Sequence, residues 1–133
     1  MLELICDPPA RAKTADPFLQ SIRYADGDTL IGQARWHTTC DPSEGVAEIL
    51  YLTVAPPYRR KGNGRRLMEA VTSQASEYFK CRKSRLRRLW VPVNQKSQVL
   101  ARSFLMQFGF NHVGTIKELL RDEDLLMYMR TFD

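Results

Sequence analysis

The chain has 133 residues, of which 44% are hydrophobic and 26% are charged. This length suits one domain, residues 1–133, with a core around one sheet, and argues against a second domain. The net charge of +5 at pH 7 does not by itself identify a partner.

Cysteine content and hydropathy bear on location. Cys6, Cys40 and Cys81 are odd in number and lack the paired CxxC spacing that zinc or redox chemistry needs, so we interpret them as reduced packing residues. The N-terminal sequence MLELICDPPARAK has no long apolar region after basic residues, and no later stretch is long enough to span a bilayer. The sequence therefore predicts a cytoplasmic protein without a membrane partner.

The first half of the chain predicts β-strands. Leu2 to Cys6 is a short apolar run before two prolines, and residues 8 to 17 are predicted to form a loop. Three strands in meander follow: FLQSIRYA and TLIGQARWHT flank a turn at Asp26-Gly27-Asp28, and VAEILYLTV comes after a second break. Glu48 is the only charge in VAEILYLTV, which indicates a central, buried strand.

The second half predicts helices and strands in alternation. After Gly64, apolar residues recur at helical spacing and predict an amphipathic helix. A strand from Leu86 to Val93 contains Pro92, which implies an edge, an end or a place where strands separate. A second helix, roughly Lys96 to Phe108, stops at Gly109, and a terminal hairpin follows. This order predicts an α/β (α+β) fold with a mixed, mostly antiparallel sheet flanked by helices.

Positive charge is concentrated between Pro56 and Trp90. That segment holds eleven cations and two acids, a net charge of +9, so the remainder of the chain carries −4. Such a concentration attracts a phosphate-bearing cofactor, a nucleic acid or an acidic surface. The run from Lys80 to Arg88 would suit nucleic acid, but cations at a helix end also complement the helix dipole, and we favour a solvated surface there.

The segment VAPPYRRKGNGRRL, residues 54 to 67, joins the buried strand to the amphipathic helix. Gly62 and Gly64 permit backbone conformations that a Cβ would forbid and a close approach of ligand, and the first amides of a helix lack internal acceptors. These features, with the surrounding cations, predict a pyrophosphate site. Alone, such a Gly-x-Gly is also typical of an ordinary turn with a solvated basic surface. Rossmann and P-loop motifs do not match, because their remaining residues are missing.

The same segment resembles the signature of the GNAT acetyltransferase superfamily, Arg/Gln-x-x-Gly-x-Gly/Ala after a Val-x-Pro strand exit. The matching residues are Val54, Pro56, Arg59, Gly62 and Gly64. The resemblance extends from Val46 to Phe132. It implies a GNAT-like acyl-CoA N-acyltransferase fold and transfer of an acetyl group from acetyl-CoA to a primary amine on a protein or a small molecule.

The resemblance also implies how acetyl-CoA is bound. The loop amides would bind the pyrophosphate, and the preceding strand, which splays from the next one, would pair with the pantetheine arm. The implied contacts are Leu52, Thr53, Val54, Arg59, Arg60, Lys61, Gly62, Asn63, Gly64 and Arg65. Gln98 stands at the position of a family asparagine, three residues before Ala101, and Asn94 is a substitute candidate.

Acetyl transfer needs a neutral amine, and deprotonating an amine of pKa about 10.4 costs about 4.6 kcal/mol at pH 7. Glu48 is the candidate general base, because it precedes Val54 by six residues and strict alternation places both on one face. Histone-type members of the superfamily carry a catalytic glutamate at the matching point. Pairing of Glu48 with a neighbouring arginine is the alternative. His37 and His112 lack partnering acid motifs in the sequence and are predicted to be structural.

Two departures from the family keep other functions open. Leu105 occupies the position of the tyrosine that reprotonates the CoA thiolate. The short loop from Pro8 to Pro17 stands where the family inserts one or two helices, which predicts a shortened N-terminal helical region and an open acceptor groove. A non-catalytic CoA-binding module is therefore the first alternative. A nucleic-acid-binding domain is the second, disfavoured by the few aromatic residues among the cations. An exposed sheet edge would suit a homodimer.

Overall fold

The computed structural model describes residues 2–6, 18–38, 40–96 and 98–132. The predicted loop at residues 8 to 17 lies outside this described part. The predicted shortening of the N-terminal helical region concerns the same residues and also lies outside it. The described strands and helices are β1 Leu2–Cys6, β2 Phe18–Asp26, β3 Thr29–Thr38, β4 Val46–Val54, α1 Asn63–Lys80, β5 Arg88–Asn94, α2 Val99–Gln107, β6 Asn111–Leu120 and β7 Glu123–Thr131.

The strands form one mixed sheet in the order β1-β2-β3-β4-β5-β7-β6. Neighbours are antiparallel except β4 and β5, which run parallel and are connected through α1. The mixed, mostly antiparallel sheet is thus confirmed, and β4 is its central strand. None of the helices in the described ranges combines the length and the apolar character that a membrane span requires.

Helix α1 packs its apolar side on the middle of the sheet. Leu67, Val71 and Phe79 are fully buried and recur at helical spacing on that side. Trp36 of β3 is also fully buried, and its indole Nε1 donates a 2.7 Å hydrogen bond to Oε1 of Gln74 on α1. The face of β3 that carries Trp36 is therefore the face that α1 covers.

Strands β4 and β5 pair over a short distance and then separate. Only Val46–Glu48 and Arg88–Trp90 are in register, whereas β5 pairs with β7 along its whole length. Pro92 lies beyond the point of separation, opposite Met127 of β7. The expectation that this proline marks a place where strands part is confirmed. From Ile49 onward, the edge of β4 that faces β5 is free of strand pairing.

A β-bulge interrupts β4 at Leu50. Arg35 pairs with Tyr51 but the next residue, Trp36, pairs with Ile49, so Leu50 has no counterpart in β3. Residues paired directly across two strands lie on the same face of the sheet. Because Trp36 and its partner face α1, Glu48 lies on the opposite face, whereas Val54, the partner of Gly32, faces α1.

The prediction that Glu48 and Val54 share a face is therefore wrong. Strict alternation over six residues holds only for an unbroken strand, and the extra residue at the bulge inverts it. Two element boundaries also differ from prediction. Strand β5 begins at Arg88, although Leu86 is buried in the loop before it, and α2 begins at Val99 because Gln98 and Asn94 close a turn ahead of it.

Candidate active site

A cleft of about 750 Å³ opens where β4 and β5 diverge. Its walls are the free edge of β4, the loop and first turn of α1, the second half of β5, and α2. The lining residues are Ile49, Leu50, Tyr51, Leu52, Thr53, Val54, Arg59, Arg60, Gly62, Gly64, Arg65, Met68, Val91, Pro92, Val93, Gln98, Ala101, Ser103, Phe104, Leu105, Gln107 and Phe108.

The loop before α1 is held in a defined conformation. Arg59 Nε donates to the carbonyl oxygen of Val54 at 2.9 Å, and Asn63 Nδ2 donates to that of Tyr58 at 2.9 Å. Arg60 and Gly62 have positive φ angles of 62° and 83°. Gly62 is the N-terminal cap of α1 and supplies no side-chain cap, so the first amides of the helix are available to a ligand.

The two signature glycines have different structural roles. Gly62 needs its left-handed backbone, and a Cβ there would contact nothing within 4 Å. Gly64 is within the helix, and a Cβ there would lie 3.0 Å from Cε2 of Phe104 on α2. The expectation of unusual backbone conformation thus holds at Gly62 and is wrong at Gly64, which instead allows α2 to approach α1.

The cleft is positively charged. Among the residues that the structure describes, its lining includes Arg59, Arg60 and Arg65 and no aspartate or glutamate. The Arg65 guanidinium lies 5.4 Å from the ring centroid of Phe108, which holds this cation beside α2. Anionic groups are therefore favoured at the helix end of the cleft, where the helix dipole acts in the same direction.

The structure brings most of the predicted cofactor residues together. Nine of them line the cleft: Leu52, Thr53, Val54, Arg59, Arg60, Gly62, Gly64, Arg65 and Gln98. Lys61, Asn63 and Asn94 are outside the lining. Asn63 is buried and stabilises the loop, whereas the backbone N–H of Asn94 donates to Gln98 Oε1 at 2.7 Å. The roles of all these residues toward a ligand stay predictions.

Glu48 stands at the last rung where β4 and β5 pair, immediately before the cleft begins. Its Oε1 lies 2.6 Å from Nε2 of His37, its cross-strand neighbour, and each side chain is about one-fifth exposed. The sequence-based alternative pairs Glu48 with a neighbouring arginine, but its partner in the structure is a histidine. The expectation that His37 lacks an acid partner is wrong, since cross-strand register brings the acid to it.

The remaining residues singled out in the sequence are placed as follows. Leu105 is buried and lines the cleft, so that position offers no hydroxyl. Tyr51, Thr53 and Ser103 do supply hydroxyls to the lining. The exposed His112 has its Nε2 2.8 Å from Thr115 Oγ1. Sequence reasoning missed Tyr51 and Ser103, although the free edge of β4 and the splay at Pro92 could have indicated the former.

The family of the chain follows from comparison with known proteins. The sequence profile of the acetyltransferase (GNAT) family matches residues 3–110. The chain belongs to the acetyltransferase (GNAT) family. No curated protein sequence matches it significantly.

Solved structures of GNAT acetyltransferases share the fold. A GNAT-family protein from Desulfovibrio desulfuricans is 20% identical with a TM-score of 0.72, over 85% of this chain and 69% of that chain. The ribosomal-protein-S18-alanine N-acetyltransferase of Escherichia coli is 20% identical with a TM-score of 0.66, over 84% and 67%. An IAA acetyltransferase from Bacillus cereus is 16% identical with a TM-score of 0.72, over 86% and 78%. These similarities establish the GNAT fold of the chain.

Proposed function

We propose that this GNAT protein is an N-acetyltransferase that transfers the acetyl group of acetyl-CoA to a primary amine. The observation that carries the proposal is one cleft in which the unpaired edge of β4 meets the arginine-bearing N-terminus of α1. Few ligands have both an extended arm that can pair with a strand edge and a diphosphate that can bind at a helix N-terminus. Acetyl-CoA has both parts.

The cofactor would lie across the mouth of the cleft. Its pyrophosphate would accept hydrogen bonds from the first amides of α1, with Arg59, Arg60 and Arg65 nearby. Its pantetheine arm would pair with the free edge of β4 from Leu52 to Val54, as an added strand does. The thioester would then reach the point where β4 and β5 meet.

Chemistry is proposed at that point. The neutral amine attacks the thioester carbonyl carbon, and a tetrahedral intermediate forms whose oxyanion is stabilised by backbone N–H groups beside the bulge at Leu50. The carbon–sulfur bond then breaks and CoA leaves as a thiolate, which an intrinsic pKa near 8.5 permits without an acid at Leu105. Glu48 accepts the amine proton, directly or through water, and His37 orients its carboxylate.

Two other functions compete with this proposal. A non-catalytic CoA-binding module is favoured by the buried leucine at position 105, and it predicts binding without release of CoA thiol in any amine screen. A nucleic-acid-binding domain predicts affinity for nucleic acid that falls steeply with salt and is indifferent to CoA. The primary-amine acceptor and the cytoplasmic location stay predictions.

The test is calorimetric titration of the protein with acetyl-CoA, compared with Gly62→Val. We expect the variant to bind at least tenfold more weakly, because the side chain crowds the amides and strains a backbone with φ of 83°. Gly27→Val is the matched control. Gly27 also has positive φ and open space around it, but it lies in the β2–β3 turn. We therefore expect Gly27→Val to bind acetyl-CoA as the unmodified protein does.

Three results would contradict the proposal at distinct levels. Absence of acetyl-CoA binding by the unmodified protein removes the cofactor site altogether. Equal acetyl-CoA binding by Gly62→Val and the unmodified protein would mean that the pyrophosphate does not bind at the N-terminus of α1. Tight binding without thiol release, across protein and small-molecule amines, leaves the non-catalytic module.

A further inference from the structure

The face of the sheet opposite α1 carries a group of polar side chains beside the cleft. We call it the outer face. Cross-strand pairing sets Ser21, Arg35 and Tyr51 in one rung, with His37 and Glu48 in the rung on one side and Arg23, Gln33 and Thr53 in the rung on the other. Residues that are paired in this way point to the same side.

Arg35 is the central cation of the outer face. It is exposed, and its guanidinium carbon lies 6.0 Å from the ring centroid of Tyr51. No carboxylate of the described residues forms an ion pair with Arg35 or with Arg23, its diagonal neighbour. A guanidinium placed beside an aromatic ring, with its hydrogen-bond donors open to solvent, is suited to bidentate binding of a carboxylate.

The outer face is continuous with the cleft. Tyr51 and Thr53 belong to both, since they line the cleft and lie on the outer face. The arginines at the start of α1 hold the opposite end of the cleft. A molecule that enters from the outer face would therefore reach the thioester position without crossing the proposed pyrophosphate site.

The spacing of the rungs sets a distance between two groups of the acceptor. Glu48 is opposite His37, which is two residues from Arg35 along β3. Glu48 and Arg35 are thus diagonal neighbours on two antiparallel strands, and such positions lie about 7–8 Å apart. An amine at Glu48 and an anionic group at Arg35 would thus be about 7 Å apart, which is close to the reach of two extended residues.

We propose that the outer face binds the acceptor and that the acceptor carries a carboxylate about 7 Å from its amine, as a dipeptide with a free C-terminus does. Its amine lies at Glu48, and its carboxylate binds the Arg35 guanidinium. This inference rests on the proposed N-acetyltransferase function. Acceptors with lysine-rich surroundings are disfavoured, because Arg35 and Arg23 repel them.

The test compares glycylglycine with glycylglycinamide, whose amines are similar and whose C-terminal charges differ. Each is titrated into the CoA-saturated protein and followed by chemical-shift changes. We expect glycylglycine to bind about tenfold more tightly, as a charge-assisted hydrogen bond provides. In Arg35→Gln the two peptides should bind equally, and Arg35→Lys should retain part of the preference. Arg121→Gln, at an exposed cation of the β6–β7 turn, should retain all of it.

Equal binding of both peptides, binding of neither, or a preference that survives in Arg35→Gln would overturn the inference. Its failure can be told from that of the proposed function. If the peptides show no such preference but acetyl-CoA binds and thiol is released with another amine, the proposed function is supported and the carboxylate site at Arg35 is excluded. If acetyl-CoA does not bind, titration without CoA still tests Arg35, and a retained preference keeps the carboxylate site while the proposed function falls.

Discussion

The pairing of Glu48 with His37 gives the proposed base a testable role. In Glu48→Gln, only amine that is already deprotonated in solution can react. We therefore expect kcat/KM at pH 7 to fall by about 10²-fold to 10⁴-fold and to recover toward the unmodified enzyme as pH rises through the pKa of the amine. The measurement is a pH profile of thiol release.

Variants of the two histidines supply the control. His37→Gln should lower kcat/KM by about tenfold while leaving acetyl-CoA binding intact, because a positioning partner of Glu48 is weakened. His112→Gln, on β6, should behave as the unmodified enzyme. Activity of Glu48→Gln that is normal at every pH would exclude Glu48 as the base.

The residues that the sequence did predict share one property. Gly62, Arg59 and Arg60 lie within four consecutive residues, so the strand, loop and helix start around them already specify a local anion site. Glu48 and His37 are eleven residues apart in the chain, and their contact depends on the register between β3 and β4. Register and a single bulged residue are properties of paired strands, which no local pattern contains.

Close packing of α1 on the sheet depends on a glycine of β3. A Cβ at Gly32 would lie 2.7 Å from the carbonyl oxygen of Thr53 and 2.8 Å from Cδ1 of Leu67. We expect Gly32→Ala to destabilise the protein by about 1–3 kcal/mol, as overpacking does, and to weaken acetyl-CoA binding because β4 and α1 must move. Urea unfolding, with calorimetry of the folded variant, measures both effects.

Gly114 of β6 provides the matched control. A Cβ there would lie 2.6 Å from Cε of Met127, the end of a flexible side chain that can turn away. Gly114→Ala should therefore cost little stability and leave acetyl-CoA binding unchanged. If both alanine variants unfold at the same urea concentration, the tight contact between α1 and β4 does not limit stability.

Element types were predictable because the hydrophobic periodicities are strong, as on α1, and because Pro92 marked the separation of strands. The element ends were less so. Leu86 is apolar and buried like a strand residue, yet it lies in the loop before β5, because burial without pairing produces the same sequence pattern. The strand order, with β7 between β5 and β6, was not specified by any local feature.

The concentration of positive charge in one sequence segment becomes two separate surfaces in the folded protein. One surrounds the N-terminus of α1, at Arg59, Arg60 and Arg65, and the other follows its C-terminus, between Lys80 and Arg88. The 18 residues of the helix separate them by about 27 Å, which exceeds the screening length of about 8 Å at physiological salt. The two surfaces can therefore be tested independently.

Acetyl-CoA affinity should depend on the cations around the N-terminus of α1 and not on those that follow its C-terminus. We expect Arg60→Gln to raise the Kd for acetyl-CoA about threefold to tenfold, with a weaker dependence of Kd on salt. Lys80→Gln should leave the Kd within about twofold. Titrations at two ionic strengths check this, and an equal effect of both variants would mean that the whole basic segment acts as one nonspecific anion site.

The predicted homodimer stays a prediction. Strand β6 lies at the edge of the sheet and exposes Val113, Ile116 and Leu119. These side chains would suit a second apolar surface.

The bulge at Leu50 inverts the alternation of side chains along β4: odd-numbered residues face α1 before it and even-numbered residues face α1 after it. Before it, Ala47 and Ile49 are fully buried while Glu48 points to the outer face; after it, Leu52 and Val54 take over the inward positions. Deleting Leu50 would make Ile49 and Tyr51 adjacent, so strict alternation would leave every other side chain of β4 on its present face and only the bulge would be lost. A deletion at Leu50 should therefore leave the core intact, whereas a deletion at Thr53 would turn either Leu52 or Val54 away from α1.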